Sequence, residues 1–139
     1  MLENKEKPDA PDASIILVSY NNLRATTVPC LESVFAKTSG SYEVICVDNC
    51  STDGTAEYLE AAARKEPRLI PVLNKTNKGF SGGNNDGLRI ARGRHIVLLN
   101  NDTVVTEGWL EGLTTLLAKD ESIGMVGPVS NSVGNEQRI

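Results

Sequence analysis

Short apolar runs alternate along the chain with polar stretches and with segments whose apolar residues recur at helical spacing. Runs of about four to eight β-branched or aliphatic residues are typical of strands buried on both faces. Five such runs predict five strands, at residues 14–20, 42–48, 68–74, 95–100 and 123–129. Pro71 lies within the third run and indicates an edge position, because proline has no N–H for a neighbouring strand.

The segments between these runs predict four helices. The first extends to about Thr38, with Pro29 in an early turn or at a kink. Ser51 is a suitable N-cap for a second helix over 52–66. A Gly- and Asn-rich loop over 75–87 leads into a third helix, which ends at Gly93. The fourth covers 107–120, and its apolar residues share one face: Trp109, Leu110, Leu113, Leu116 and Leu117.

Alternating strands and helices predict an α/β fold, a three-layer α/β/α sandwich around a mostly parallel, Rossmann-like sheet. Ligands of such sheets bind beyond the carboxyl ends of the strands. Amides and carboxylates dominate the residues that follow four of the predicted strands, at 20–22, 48–49, 74–85 and 100–102. One polar strand end has a simple alternative explanation in turn formation. Four polar strand ends at one edge of the sheet favour a ligand site.

The triplet at 100–102, Asn-Asn-Asp, fits two explanations. Carboxylate and amide oxygens suit a hard divalent cation, which often keeps water or substrate phosphate among its ligands. The same residues also form Asx-turns. The loop at 77–87 is equally open: its glycines allow close backbone approach to a phosphate near a helix N-terminus, or simply a flexible helix entry. It contains neither a P-loop nor a dinucleotide-binding fingerprint.

Composition narrows the function further. A chain of 139 residues is one domain's length, and its net charge of −4 argues against general nucleic-acid binding. Residues 1–13 form a polar tail without a signal-peptide core, and no apolar run predicts a transmembrane segment. Three cysteines without CxxC spacing indicate neither zinc nor a disulfide framework, and suit a cytoplasmic protein. The one histidine, His95, opens a strand at the edge opposite to the predicted site. The sequence therefore offers no Ser/His/Asp or Cys/His arrangement for a nucleophilic hydrolase.

Five segments together resemble the sugar-donor-binding half of family 2 glycosyltransferases with the GT-A fold: SIILVSYNN, VICVDNCSTDGT, NKGFSGGNNDGL, IVLLNNDTVVTEGWL and GMVGPVSN. The resemblance covers about residues 14 to 129. It implies a UDP- or dTDP-sugar donor, Mn²⁺ or Mg²⁺, and inverting transfer to the hydroxyl of a glycan or lipid-linked acceptor. It also implies a role in polysaccharide synthesis in the cytoplasm, at the cytoplasmic face of the membrane in a longer protein.

The resemblance assigns roles by position. Asp102 matches the metal-binding acid of the family's DxD motif, and Asn100 stands where its first acid would be. Asn49 replaces an aspartate and Asn84 an arginine that many members carry. The residues implied to contact the nucleotide sugar are Ser19, Tyr20, Asn21, Asp48, Asn49, Gly79, Asn84, Asn85, Asn100 and Asn101, with Asp102 and Asn100 implied to hold the metal.

Inverting transfer needs a general base, which this family places after the fifth strand. Glu136 is a poor candidate because no scaffold is predicted around it, so we expect the base to lie beyond Ile139. The expected layout is a tail at 1–13, a donor-binding domain at 14–130 and the start of an acceptor half at 131–139. Such a chain would bind the sugar donor and turn over poorly. A non-catalytic binding module and a sugar nucleotidyltransferase are the alternatives; the latter is disfavoured because no glycine follows the first strand.

Overall fold

A computed structural model describes residues 10–129 of the chain. The elements in chain order are β1 Ala13–Ser19, a π-helical turn Leu23–Thr27, α1 Val28–Lys37, β2 Tyr42–Asp48, α2 Thr55–Ala63, β3 Leu69–Leu73, α3 Gly79–Ile90, β4 His95–Leu98 and α4 Trp109–Ala118. The four strands form one parallel sheet in the order β3-β2-β1-β4. Pro71 therefore lies on an edge strand, as predicted.

The two central strands carry the core on both of their faces. Ile15, Leu17, Val44 and Cys46 point toward a cluster formed with α1, α2 and α4. Ile16, Ile45 and Val47 point to the opposite face, where α3 packs. This arrangement confirms the predicted three-layer sandwich. Each fully buried aliphatic side chain contributes roughly 1.5–3 kcal/mol, so β1 and β2 anchor the domain.

The third helix is longer than predicted, because α3 starts at Gly79 inside the expected loop. Glycine disfavours helix by about 1 kcal/mol relative to alanine, and tertiary packing overrides that preference here. A Cβ on Gly83 would lie 2.7 Å from Cγ1 of Val18, and one on Gly87 would lie 2.6 Å from Cγ2 of Ile16. These glycines let the helix backbone rest directly on β1.

A buried carboxylate fastens α3 at the amino-terminal edge of the sheet. Glu43 is 3% exposed and accepts hydrogen bonds from Ser14 Oγ at 2.7 Å and from the backbone N–H of Arg92 at 2.8 Å. The Arg92 guanidinium adds two more, at 2.9 and 2.7 Å. Burial alone would raise the pKa of Glu43, but the bonds from Ser14 and Arg92 hold it below its ordinary value.

Two predicted boundaries are wrong. Ser51 does not begin α2, which starts at Thr55; the Ser51 hydroxyl instead accepts the backbone N–H of Asn21 at 2.8 Å. The predicted tail also ends too late. Ala13 belongs to β1, and the backbone of Asp12 accepts the N–H of His95 at 2.9 Å.

The predicted fifth strand, 123–129, is also wrong within the described residues. A strand needs a neighbour to pair with its N–H and C=O groups, and no described segment pairs with this one. Met125 and Val129 are 87% and 70% exposed. The fourth helix forms as expected, although Leu116 of its apolar face stays largely exposed.

Candidate functional site

The polar ends of the strands converge at one edge of the sheet, as the sequence predicts. A cavity of about 260 Å³ opens there between the ends of β1 and β2, the start of α3 and the turn after β4. Its lining residues are Val18, Tyr20, Asn49, Asn77, Gly79, Phe80 and Asn101. A smaller cavity, about 190 Å³, lies beside Asp12 and α4 at the opposite edge and includes no predicted site residue.

Hydrogen bonds join the loop after β1 to the loop after β2. Asn21 adopts a left-handed backbone with φ 57°, which asparagine tolerates better than most residues. Its side-chain oxygen accepts the N–H of Thr52 at 2.9 Å. Asp53 accepts the N–H of Leu23 at 2.8 Å, and this bond lowers the pKa of the carboxyl. The two loops therefore form one preorganised rim.

Asn49 fastens the entry to α3. The side chain is 2% exposed, and its Nδ2 donates to Asn77 Oδ1 at 2.9 Å and to the Gly79 carbonyl at 3.0 Å. Its Oδ1 accepts from Asn74 Nδ2 at 3.2 Å and from the Lys78 N–H at 3.0 Å. Four bonds within the protein occupy this amide, so its implied contact with the base or ribose stays a prediction.

Asp86 forms ion pairs with one cation at the start of α3 and one in its last turn. It binds Lys78 at 2.8 Å and Arg89 at 2.5 Å, and the bond from Lys78 is the main reason that its pKa is lowered. Asn84 is buried in the helix and donates to the Phe80 carbonyl at 3.0 Å, whereas Asn85 is exposed. Neither of these two asparagines lines the cavity.

The triplet after β4 forms a turn and also presents polar side chains. The Asn100 carbonyl accepts the Thr103 N–H at 3.2 Å, which closes the turn. The same carbonyl accepts Cys30 Sγ at 3.6 Å, and burial raises the pKa of that thiol to about 11. Asn100 and Asp102 are exposed, and Asn101 between them lines the cavity. Both explanations of this triplet, turn and ligand site, are therefore compatible.

The side chain of Asn101 contacts two hydroxyl groups of the π-helical turn. Its Nδ2 lies 3.2 Å from Thr26 Oγ1 and 3.1 Å from Thr27 Oγ1. Thr27 is fully buried and shares a 2.7 Å hydrogen bond with Ser19 Oγ. Ser19, which the sequence implies as a nucleoside contact, is fully buried and reaches Asn101 only through Thr27. Asp48 is also buried, and its carboxylate accepts the Ser51 N–H at 3.1 Å.

The oxygen ligands after β4 suit a divalent cation only in part. Residues 10–129 contain no group of three or more histidine, cysteine, aspartate or glutamate side chains that would hold a metal. Asp102 offers one carboxylate, and Asn100 offers a neutral oxygen. This set fits a hard cation such as Mg²⁺ or Mn²⁺ that takes its remaining ligands from water and from a bound diphosphate.

The cavity contains four of the residues implied from sequence: Tyr20, Asn49, Gly79 and Asn101. Sequence reasoning did not single out Val18, Asn77 and Phe80. Phe80 carried a usable signal, because a large aromatic residue directly after a glycine in a polar loop has no obvious core partner. Its side chain is 58% exposed.

Glu136 and the segments 1–9 and 131–139 lie outside the described residues.

None of the helices within residues 10–129 has both the length and the apolar character that a membrane span requires. The longest, α3, has 12 residues. The cysteines Cys30, Cys46 and Cys50 are all free thiols.

Comparison with known proteins places this geometry in a family. The chain is 36% identical over 95 residues to the succinoglycan biosynthesis protein ExoO of Rhizobium meliloti, covering 68% of this chain and 26% of that protein. It is 36% identical over 89 residues to the Escherichia coli enzyme WfaP, named UDP-Glc:alpha-D-GlcNAc-diphosphoundecaprenol beta-1,3-glucosyltransferase, covering 64% and 34%. The chain thus spans about a third or less of either relative.

A solved structure supports the fold. The mannosyltransferase PcManGT of Pyrobaculum calidifontis, in complex with GDP-Man and Mn²⁺, matches with a TM-score of 0.74 and 25% identity, covering 83% of this chain and 34% of that one. The match confirms the GT-A fold. The family model for glycosyl transferase family 2 matches residues 14–138. The chain belongs to the family 2 glycosyltransferases.

Proposed function

We propose that the chain is the donor-binding domain of a glycosyltransferase, with a UDP- or dTDP-sugar bound at the carboxyl edge of the sheet. One observation carries the proposal: a cavity at the switch point of a parallel sheet, lined by aromatic rings and amides, in a chain of this family. The WfaP enzyme is named for UDP-Glc, and PcManGT was solved with GDP-Man.

The nucleoside is the part of this ligand that the cavity suits best. Tyr20 and Phe80 line it and are 52% and 58% exposed, so their rings offer apolar surface to a base. Stacking of a base on an aromatic side chain is worth about 1–3 kcal/mol. Asp48 and Asn49 hold the rim in place, and Asn49 also borders the cavity. Base recognition in this proposal combines stacking with the rim's amide and backbone groups.

The diphosphate would lie between the start of α3 and the turn after β4. The first N–H groups of a helix favour an anion, and Gly79 leaves that end sterically open. Asp102, with an amide oxygen of Asn100, would hold Mn²⁺ or Mg²⁺ beside it. When bound, such a cation stabilises the negative charge that develops on the leaving diphosphate. Because this motif has one acid, we expect the nucleotide to complete the cation site.

The proposed reaction is inverting transfer of the sugar to an acceptor hydroxyl on a glycan or lipid-linked molecule. The named relative in succinoglycan biosynthesis favours a role in cell-surface polysaccharide assembly. We propose that it takes place in the cytoplasm, at the membrane face where a lipid-linked acceptor would be found. The described residues offer no carboxylate inside the cavity to act as general base.

Calorimetric titration tests the proposal. UDP, dTDP and GDP are each titrated into the 139-residue chain with and without Mn²⁺. We expect at least one diphosphate to bind, at least tenfold more tightly with Mn²⁺. Asp102→Ala should remove the Mn²⁺ effect, while Asp120→Ala, at an exposed carboxylate after α4, should keep it. Failure of all three diphosphates to bind would refute the assignment, and a Mn²⁺ effect that survives in Asp102→Ala would refute the metal site.

A further inference from the structure

The end of α3 and its connection to β4 carry arginines without acidic neighbours in the sequence. Residues 87–101 include Arg89, Arg92 and Arg94 and contain no aspartate or glutamate, in a chain whose net charge is −4. All three arginines are exposed. An acidic chain therefore presents a local positive surface at this end of the helix.

The carboxylates that pair with two of these arginines lie beneath them. Asp86 binds Arg89 and Glu43 binds Arg92; the acidic side chains are 10% and 4% exposed, whereas the arginine side chains are 70% and 62% exposed. A partner that approaches this surface meets the guanidinium groups before the carboxylates. Ion pairing inside the fold explains Arg89 and Arg92. It does not explain Arg94, whose side chain has no ion pair within residues 10–129.

Exposed aliphatic side chains alternate with the arginines. Leu88, Ile90 and Ile96 are 41%, 42% and 45% exposed. Ile96 lies two residues before Leu98, the register partner of Ile16, so its side chain is on the face of the sheet against which α3 packs. The aliphatic and basic side chains thus share one side of the molecule.

We propose that this surface, a basic patch, binds a bilayer that contains anionic phospholipid. The patch consists of Leu88, Arg89, Ile90, Arg92, Arg94 and Ile96. Guanidinium groups pair with lipid phosphates, and aliphatic side chains enter the boundary between headgroups and acyl chains. Nucleic acid fits less well, because residues 87–101 include no phenylalanine, tyrosine or tryptophan on which a base could stack.

The basic patch is separate from the proposed donor site, and the inference does not depend on donor binding. Helix α3 begins at Gly79, which lines the cavity, and ends at Ile90 in the patch. At 1.5 Å per residue these two ends lie about 17 Å apart. A bilayer bound at the patch therefore leaves the cavity open to a nucleotide.

Vesicle co-sedimentation of the 139-residue chain tests the proposal. Vesicles of phosphatidylcholine alone are compared with vesicles that contain about one third phosphatidylglycerol, in 0.1 M and 1 M NaCl. We expect at least tenfold tighter binding to the anionic vesicles in 0.1 M NaCl. The difference should be lost in 1 M NaCl, because the Debye length falls from about 10 Å to about 3 Å.

Matched variants locate the binding surface. Arg89→Gln/Arg94→Gln should weaken binding to anionic vesicles about 25-fold, or about fivefold for each arginine. Arg64→Gln/Lys65→Gln removes the same charge from exposed positions at the end of α2, in the opposite layer, and should change binding less than twofold.

A second pair of variants tests the apolar part of the patch. Ile90→Ser should weaken binding at least threefold, because one aliphatic side chain no longer enters the bilayer. Leu116→Ser is its control at a similarly exposed leucine of α4 and should bind as the wild type does.

Several results would overturn the proposal: no binding to anionic vesicles, equal binding to both vesicle types, or an equal loss in the two charge-matched variants. An arginine effect without an Ile90→Ser effect would also overturn it, since the surface would then be one for a soluble polyanion. If the double arginine variant fails to fold, Arg94→Gln alone must give the fivefold loss. Titration with UDP and Mn²⁺ should be unchanged in the arginine variants, and a failure of nucleotide binding in every variant would leave the membrane result unaffected.

Discussion

The contact between Gly83 of α3 and Val18 of β1 gives a sharp test of how this helix reaches the sheet. In Gly83→Ala the new methyl group would lie 2.7 Å from one Val18 methyl and 3.0 Å from the other. Valine is stiff about χ1, so its methyl groups do not turn away without a cost of their own. The helix or the strand must move to relieve the contact.

The expected free energy is the difference between two opposing effects. Alanine favours a helix over glycine by about 1 kcal/mol. Overpacking in a well-packed core costs about 1–3 kcal/mol, and two short contacts argue for the upper half of that range. Gly83→Ala should therefore lose roughly 1–2 kcal/mol of unfolding free energy, or several degrees in Tm.

Gly112 of α4 supplies the matched control. A Cβ there would meet no atom within 4 Å, so Gly112→Ala should gain about 0.5–1 kcal/mol from helix propensity alone. Val18→Ala removes both methyl groups that oppose the new one. The double variant Gly83→Ala/Val18→Ala should therefore be more stable than the sum of the two single changes, by about 1–2 kcal/mol. Urea unfolding of the four variants measures each value.

Two results would refute this reasoning. Gly83→Ala would be as stabilising as Gly112→Ala if α3 were not in close contact with β1. A coupling energy near zero would mean that Val18 is not the group that opposes the new methyl. Either result would also remove the physical explanation for a glycine-rich sequence at the start of α3.

Two further predictions concern buried polar groups. Glu43 has a folded-state pKa below its ordinary value of 4.5, so it stabilises the fold above that value and loses the contribution as pH falls through the folded pKa. Unfolding followed from pH 7 to pH 3 should show a steeper acid loss in the wild type than in Glu43→Gln; parallel curves would contradict this. In Asn49→Asp the new carboxylate cannot donate to Asn77 and Gly79, as the Asn49 amide does. Thermal unfolding should therefore show a loss of about 2–4 kcal/mol, at least as large as in Asn49→Ala. An unchanged Tm in Asn49→Asp would show that the loop re-forms around a carboxylate.

The sheet was predictable from the sequence because its central strands are buried on both faces and so appear as uninterrupted apolar runs. The predicted range 42–48 coincides with β2, and 14–20 differs from β1 by one residue at each end. Polar residues directly after those runs located the carboxyl edge. The same logic failed for 123–129, because an apolar run forms a strand only where another strand is available to pair with it.

Other features depended on contacts between residues distant in the sequence. No local rule predicts that Gly79 starts a helix, since the stability of α3 comes from its fit on Val18 and Ile16. The support of Asn101 by Thr26 joins residues 75 positions apart. Sequence reasoning named Asn101 from the family motif, but only the structure reveals that its amide nitrogen lies within hydrogen-bond distance of the Thr26 and Thr27 hydroxyls.

The free side of β4 has a consequence for handling the protein. No described strand covers its outer backbone groups, and Ile96 and Leu98 are 45% and 54% exposed on one face. An apolar, uncharged strand edge is a template for edge-to-edge pairing between molecules. Concentrated solutions of this chain would therefore lose monomer through intermolecular β-pairing, and a lysine in place of Leu98 would act as a gatekeeper against aggregation.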